Sequence, residues 1–359
     1  MSQKRYDYID IAKGICILLI VLFHIDFSFW TDNSFGVYIT RFASFFKVTL
    51  FFCLSGLTLK EEKLVKTKSF IIDKIKKLYL KVAIIGIIFV LLHNVFIQIG
   101  FYTNGVTYSG KLMHSYSLLE TCKECGLSLL MANREVMIGP LWFGNVLFIA
   151  LMIEVILCAV IKKLKIPHAR EVRLVVCFLL MVIGWVLGEF FALNIPRANN
   201  SLSALFLIDF TQYLKSVRKI KFDNVIMFII TSVVCLISPV FGSFSINKNV
   251  IINPLIFIAV TTAFMYSFLF LSQKIELIPH RILKFIGLHS FDIMVYQFLG
   301  FKIAALLVGA NTGFLMPTAD NVWWMLYYLA FGILIPIIIG CLIDLVKKGC
   351  RTVLAQKNH

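Results

Sequence analysis

The chain has 359 residues, 60% of them hydrophobic and only 15% charged, with a formal net charge of +16. Soluble globular chains are closer to half apolar and a quarter charged, so this composition excludes a soluble protein. No Pro/Gly/Ser-rich linker or long polar block interrupts the pattern, which predicts one polytopic membrane domain over 1–359.

Lys4 and Arg5 precede an apolar run, as in a signal peptide. That run carries Lys13, His24 and Asp26, lacks a small-x-small cleavage site and is long enough to span, so it reads as an uncleaved first helix. A spanning helix needs about 20 mostly apolar residues. Ten segments qualify: about 9–30, 38–59, 78–100, 138–161, 172–193, 201–214, 224–241, 250–272, 285–308 and 322–346. The sixth is short and contains Asp209, and the seventh is marginal in length. The expected fold is therefore all-α, about ten transmembrane helices in one bundle over 9–346, followed by a short tail at 347–359.

Orientation follows the Lys/Arg bias of the connectors. With the N-terminus inside, 26 of the 35 Lys and Arg residues fall in inner segments. The outer loops hold Lys111, Lys123, Arg134, Arg197 and Lys248. This alternation predicts ten spans with both termini cytoplasmic. It also assigns the positive charge to topology and lipid headgroups, so no nucleic-acid partner is expected. The longest outer loop, 101–137, reads as a cap over an outward-facing pocket or as a solvated connector. Most of the nine cysteines sit in apolar segments as small hydrophobes. Cys122 and Cys125 form a lone CxxC in that loop, open to a disulfide or to two plain thiols; without a second pair no metal site is expected.

Ionisable residues inside a membrane are costly and default to functional hypotheses. Lys13 and His24 are eleven residues apart, which on a continuous helix is within about 20° of three full turns and about 16 Å along the axis. They would share one face, a cation near the cytoplasmic mouth and an imidazole deep in the bundle. Lys13 has two other readings, snorkelling to headgroups or pairing with Asp10. Counting along the helices puts Lys47, Trp142, Asn145, Tyr296 and Gln297 near the depth of His24. His93 reads as interfacial, and Glu154, Glu189, Asp209, Asp292, Lys302 and Asp344 as structural or helix-end groups.

These stretches resemble the membrane acyltransferase-3 family. DIAKGICILLIVLFH (10–24) is similar to its first-helix signature, a Lys or Arg, ten residues and a His. FFKVTLFFCLSG (45–56), SFIIDKIKKLYL (69–80), GPLWFGNVLF (139–148) and IGLHSFDIMVYQF (286–298) resemble later motifs, and the KG form resembles the fucose 4-O-acetylase branch. Departures are Lys47 where that branch often has His, Thr49 where it has Pro, lysines at 74, 76 and 77 in place of arginines, and Gln297 or Phe298 near a missing late His. Lys keeps the charge but lacks the bidentate fork.

The resemblance implies transfer of an acyl group, usually acetyl, from cytoplasmic acyl-CoA to a hydroxyl of a cell-surface or lipid-linked glycan, at the bacterial cytoplasmic membrane. CoA phosphates would sit against Lys13, Lys74, Lys76 and Lys77, and the pantetheine arm would bring the thioester to His24. His24 would be the general base. Lys47, Ser55, Trp142, Asn145 and Tyr296 would supply the oxyanion donor or line the channel. Direct transfer and a covalent acyl-histidine are both open. A transporter or flippase also predicts mid-membrane polar residues, but paired Gly/Pro-broken helices in two halves are not seen. A sensor or scaffold with a decayed site is a third class.

Overall fold

The computed structural model describes residues 7–27, 30, 34–108, 110–191, 193, 197–242, 244–246, 253–277, 280–309 and 317–357, with backbone alone from 350. Lys4, Arg5 and Lys248 of the charge pattern lie outside the described residues.

Helix α1 (Asp7–Leu22) opens with Asp7 and Asp10 in its first turn, where acids favour the positive end of the helix dipole. It ends earlier than the sequence suggests. The His24 amide donates to Val21 O (3.1 Å) and the Ile25 amide to Leu22 O (3.1 Å), a tightened turn that terminates the helix. Asp26–Phe27 (β1) then pair in parallel with Thr318–Ala319 (β4). His24 therefore sits in the turn after α1. The expected single helical face from Lys13 to His24 is corrected: pairing with a segment nearly 300 residues away draws 26–27 out of the helix.

Helices α2 (Ser34–Ser44) and α3 (Thr49–Thr58) follow, joined by a turn at 45–48. Short helices α4 (Glu61–Val65) and α5 (Thr67–Lys74) lead into a π-helical turn, Ile75–Tyr79. Then come α6 (Leu80–Leu91) and α7 (His93–Gln98). Loop 101–137 holds the hairpin β2 (Thr107–Tyr108) and β3 (Lys111–Leu112), then α8 (Leu118–Leu129), whose start is a Ser117/Glu120 capping box. A 3₁₀ turn (Val136–Leu141) enters α9 (Trp142–Lys163). The rest is α10 (Ala169–Glu189), α11 (Ala198–Ser216), α12 (Val225–Ile237), α13 (Pro254–Ile275), α14 (Arg281–Leu288), α15 (Ser290–Leu307) and α16 (Val322–Lys357).

Among the described residues, six helical stretches are long and apolar enough to cross a membrane: Ser34–Thr58, Val136–Lys163, Ala169–Glu189, Pro254–Ile275, Ser290–Leu307 and Val322–Gly349. They coincide with six of the ten expected segments. The other four are helical as well, but α1 has 16 residues, the third segment is interrupted at Leu92, and Val225–Phe241 is also too short. α11 is different in kind. Its 19 residues include Asn199, Asn200, Ser203, Asp209, Thr211 and Gln212, all buried, so it packs among other helices rather than against lipid.

Two close approaches hold the inner layer. Thr211 Oγ1 on α11 donates to Cys53 O on α3 (3.0 Å). α1 lies on α14 through glycines at both sides: a Cβ on Gly14 would lie 3.3 Å from Gly287 N and nearer still to Leu283 O. α1 and α16 run antiparallel. β4 joins β1 just before α16 begins, whereas Gly340, well along α16, packs on Asp292 at the start of α15.

Candidate active site

His24 is held by α15. Its Nδ1 lies 3.0 Å from Gln297 Oε1. Gln297 Nε2 in turn donates to Met294 O (3.0 Å), which fixes the amide with its oxygen toward the imidazole. An amide oxygen can only accept, so Nδ1 carries the hydrogen and Nε2 the lone pair. Phe298 meets the imidazole edge-on at 5.3 Å. Lys47, in the turn between α2 and α3, places Nζ 5.4 Å above the ring of Phe23, the residue before His24. Tyr296, one position before Gln297, is turned away and lies beside Phe89. The Ser55 hydroxyl donates to Phe51 O on its own helix (2.8 Å).

Phe298 also lines a cavity of about 530 Å³ whose walls include Trp142 and Asn145 at the head of α9. Asn145 is 1% exposed. Its Nδ2 donates to Met131 O (3.0 Å), while its Oδ1 has no hydrogen-bond partner among the described residues. Loop 101–137 closes one side through Lys111, Leu112 and 133–136, so it caps this cavity. Cys122 and Cys125 are both free thiols.

His93 and Glu135 form a second pair near the same cavity. Glu135 Oε2 is 2.9 Å from His93 Nδ1, and Tyr102 OH donates to Glu135 Oε1. His93 Nε2 donates to His114 O (3.1 Å), and its ring stacks on Tyr116 at 3.6 Å. Both His93 nitrogens are engaged, which leaves no lone pair for chemistry. This pair anchors the loop.

At the other end of the bundle Lys13 pairs with buried Asp10 (3.5 Å). Lys74 lies over Phe70 and Lys77 pairs with Asp73 (2.5 Å). The salt bridge lowers the Asp73 carboxyl below its ordinary value. Lys76 and Lys77 are exposed on the π-helical turn, a local feature often found at functional sites. Lys13 stands on α1, and these three lysines on α5 and the π-helical turn.

Glu154 and Asp209, read from the sequence as structural or helix-end groups, anchor a buried polar cluster among the described residues. Arg173 Nε donates to Asp209 Oδ1 (2.7 Å) and lies 3.3 Å from Glu154 Oε1. Its Nη2 donates to Gln212 Oε1 (2.8 Å) and lies 3.5 Å from Glu61 Oε1. Arg170 adds Asp209 (3.3 Å) and Glu61 (3.3 Å). Glu154, Arg173, Asp209 and Gln212 are buried on α9, α10 and α11. A polar residue on each of three apolar helices was the available sequence signal, but spacing along the chain does not reveal which of them meet.

No curated protein and no solved structure gives a significant match to the chain. The sequence profile of a family described as an acyltransferase domain, the acyltransferase-3 type, matches residues 6–341, nearly the whole chain and every residue discussed at the His24 site. With apolar membrane-length helices around an imidazole whose Nε2 lone pair is available, the chain belongs to the acyltransferase-3 family and is a multi-pass membrane acyltransferase.

Proposed function

We propose that this chain transfers an acetyl group from cytoplasmic acetyl-CoA to a hydroxyl of a cell-surface or lipid-linked glycan, in the bacterial cytoplasmic membrane. Ten spans with both termini cytoplasmic are the arrangement that the Lys/Arg alternation favours. CoA phosphates then meet the end of the bundle that carries Lys13, and Lys74, Lys76 and Lys77 lie on the inner connector. The exposed lysines at 76 and 77 suit a polyanion, although Asp10 and Asp73 already hold Lys13 and Lys77. CoA supplies the thioester; this chain supplies the base.

One observation carries the mechanism. Gln297 accepts from Nδ1, so Nε2 is the basic nitrogen of His24, beside the Phe298 wall of the cavity. The glycan hydroxyl gives its proton to Nε2 as its oxygen forms the new ester bond, the C–S bond breaks, and CoA leaves as the thiol with that proton. Lys47 is the cation nearest this turn and suits the developing oxyanion. Trp142 offers a flat face to a sugar and Asn145 Oδ1 accepts from a hydroxyl. Ser55 and Tyr296 are less suited, since one is bonded to its own helix and the other faces Phe89.

The test is O-acetylation of surface glycan in a strain lacking this chain, complemented with wild type or His24→Ala at equal membrane levels. Restoration by wild type alone supports the reading. Equal restoration by both ends the His24 mechanism, and no change in any glycan acyl group favours a transport role instead.

A further inference from the structure

The cavity beside His24 is unevenly charged. Three of its lining residues are cations, Lys111, Arg134 and Arg197, and one is an acid, Glu135. Lys111 and Arg134 come from loop 101–137, one in β3 and one near the loop's end, and Arg197 is the residue just before α11. Glu135 does not neutralise them. It is 3% exposed, and its two oxygens are taken by His93 and Tyr102. Lys111 is shared with Glu124 at 3.8 Å. Among the described residues no carboxylate lies within salt-bridge distance of Arg134 or Arg197. Arg197 is only partly exposed and its backbone has φ 67°, a region that costs a non-glycine residue about 1 kcal/mol or more. An arginine kept partly buried with no acid partner is costly unless an anion joins it.

A second observation points to a ligand independently of charge. Asn145 lines the same cavity, is almost wholly buried, and leaves Oδ1 without a partner among the described residues. A buried amide oxygen is satisfied by a hydroxyl donor. Trp142 supplies an aromatic wall alongside. Hydroxyl donors, a flat apolar face and fixed negative charge together describe one chemical class.

We infer that the acceptor is an anionic saccharide, its carboxylate or phosphate bound by Arg134 and Arg197 and a hydroxyl of the same sugar chain bound by Asn145. This rests on the reading of the cavity as the acceptor site and narrows what enters it. Neutral glycans of the same size would enter without satisfying either arginine. Sugar carboxylates and sugar phosphates share this chemistry, and guanidinium forks suit both.

The experiment measures binding rather than turnover. Wild-type protein in lipid nanodiscs, without CoA, is titrated with tri-galacturonate, with a singly phosphorylated galactose trimer and with neutral galactose trimer, and binding is read by tryptophan fluorescence. The expected result is a charged trimer binding about tenfold or more tighter than the neutral one, the scale of a charge-assisted contact. Whichever charged trimer binds more tightly names the anion. Arg134→Gln with Arg197→Gln brings that ratio close to one while neutral binding persists; Arg134→Gln alone, on an exposed side chain, gives a partial loss and serves if the double variant does not fold. Equal affinity for charged and neutral trimers, or a preference unchanged in the folded variant, overturns the inference and leaves the cavity as a neutral acceptor site. Binding of none of the three overturns the inference and the acceptor reading of the cavity, whereas failure of the His24 mechanism appears only in the transfer assay.

Discussion

The ionisable residues around Arg173 and the imidazole of His24 both lie inside this bundle, and they differ in how they are partnered. At the Arg173 cluster every carboxylate is within 3.5 Å of an arginine nitrogen, and three helices are tied together by the guanidinium. At His24 the ring Nδ1 meets the Gln297 amide, and the side chain stands in a turn beside a cavity wall. A charge in a low-dielectric interior that is surrounded by partners is locked, because any motion leaves an uncompensated charge. An imidazole with one nitrogen fixed and the other carrying a lone pair is oriented and still reactive. Burial alone does not separate the two groups; what differs is that carboxylates and guanidiniums face one another at Arg173, whereas at His24 an imidazole meets a neutral amide.

Breaking the locked side has the largest effect on folding. Arg173→Met leaves Glu154 and Asp209 buried without their shared cation, with an expected loss of about 3–5 kcal/mol. Thermal unfolding in detergent and the amount inserted in membranes check it; unchanged stability would mean that the cluster is not a lock. On the other side His24→Ala removes one hydrogen bond, about 1 kcal/mol, yet lowers acyl transfer by about a hundredfold to ten-thousandfold. Steady-state transfer at matched protein levels reads that split. Gln297→Leu sharpens the contrast: losing the acceptor for Nδ1 costs about tenfold to a hundredfold in kcat, and Gln297→Glu, which keeps an acceptor, restores much of it.

The smallest effect lies in the loop that caps the cavity, at the exposed pair His114–Glu120 (3.0 Å). The hydrogen bond with Glu120 raises the His114 imidazole above 6.5, and the reciprocal bond lowers Glu120 to about 2. A raised histidine stabilises below its unfolded value and loses that contribution as pH rises through its folded one. A depressed carboxylate stabilises above its unfolded value, 4.5, and loses that contribution as pH falls toward about 2. Protection of the amides at the start of α8, taken relative to intrinsic exchange at each pH, is therefore greatest between roughly pH 4.5 and 6.5 and falls on either side. Protection that does not vary with pH would remove the pair from the loop's order.

Much of this was legible in the sequence, though unevenly. Six of the expected spans are helices of membrane length because a run of apolar residues is a sufficient signal for a lipid-facing helix. α11 was faint for a physical reason: Asp209, Gln212 and Ser203 lower its hydropathy, and they are tolerated because α11 is buried among other helices. The end of α1 was not legible, since the pairing that stops it involves 318–319. Counting residues placed Lys47, Tyr296 and Gln297 at one depth, but azimuth belongs to packing, and packing brings Gln297 and Phe298 to His24 instead of Tyr296. The cations of the cavity come from two connectors, 101–137 and the one before α11, with no common spacing, so only the fold gathers them.

The most direct measurement places both regions in one experiment: His24→Ala and Arg173→Met, each scored for membrane abundance and for acyl transfer per folded molecule. The account predicts that His24→Ala reaches wild-type abundance and transfers almost nothing. Arg173→Met is scarce, but its surviving molecules transfer at close to the wild-type rate. A His24→Ala protein that folds and still transfers acyl groups at a comparable rate would contradict the assignment of the base.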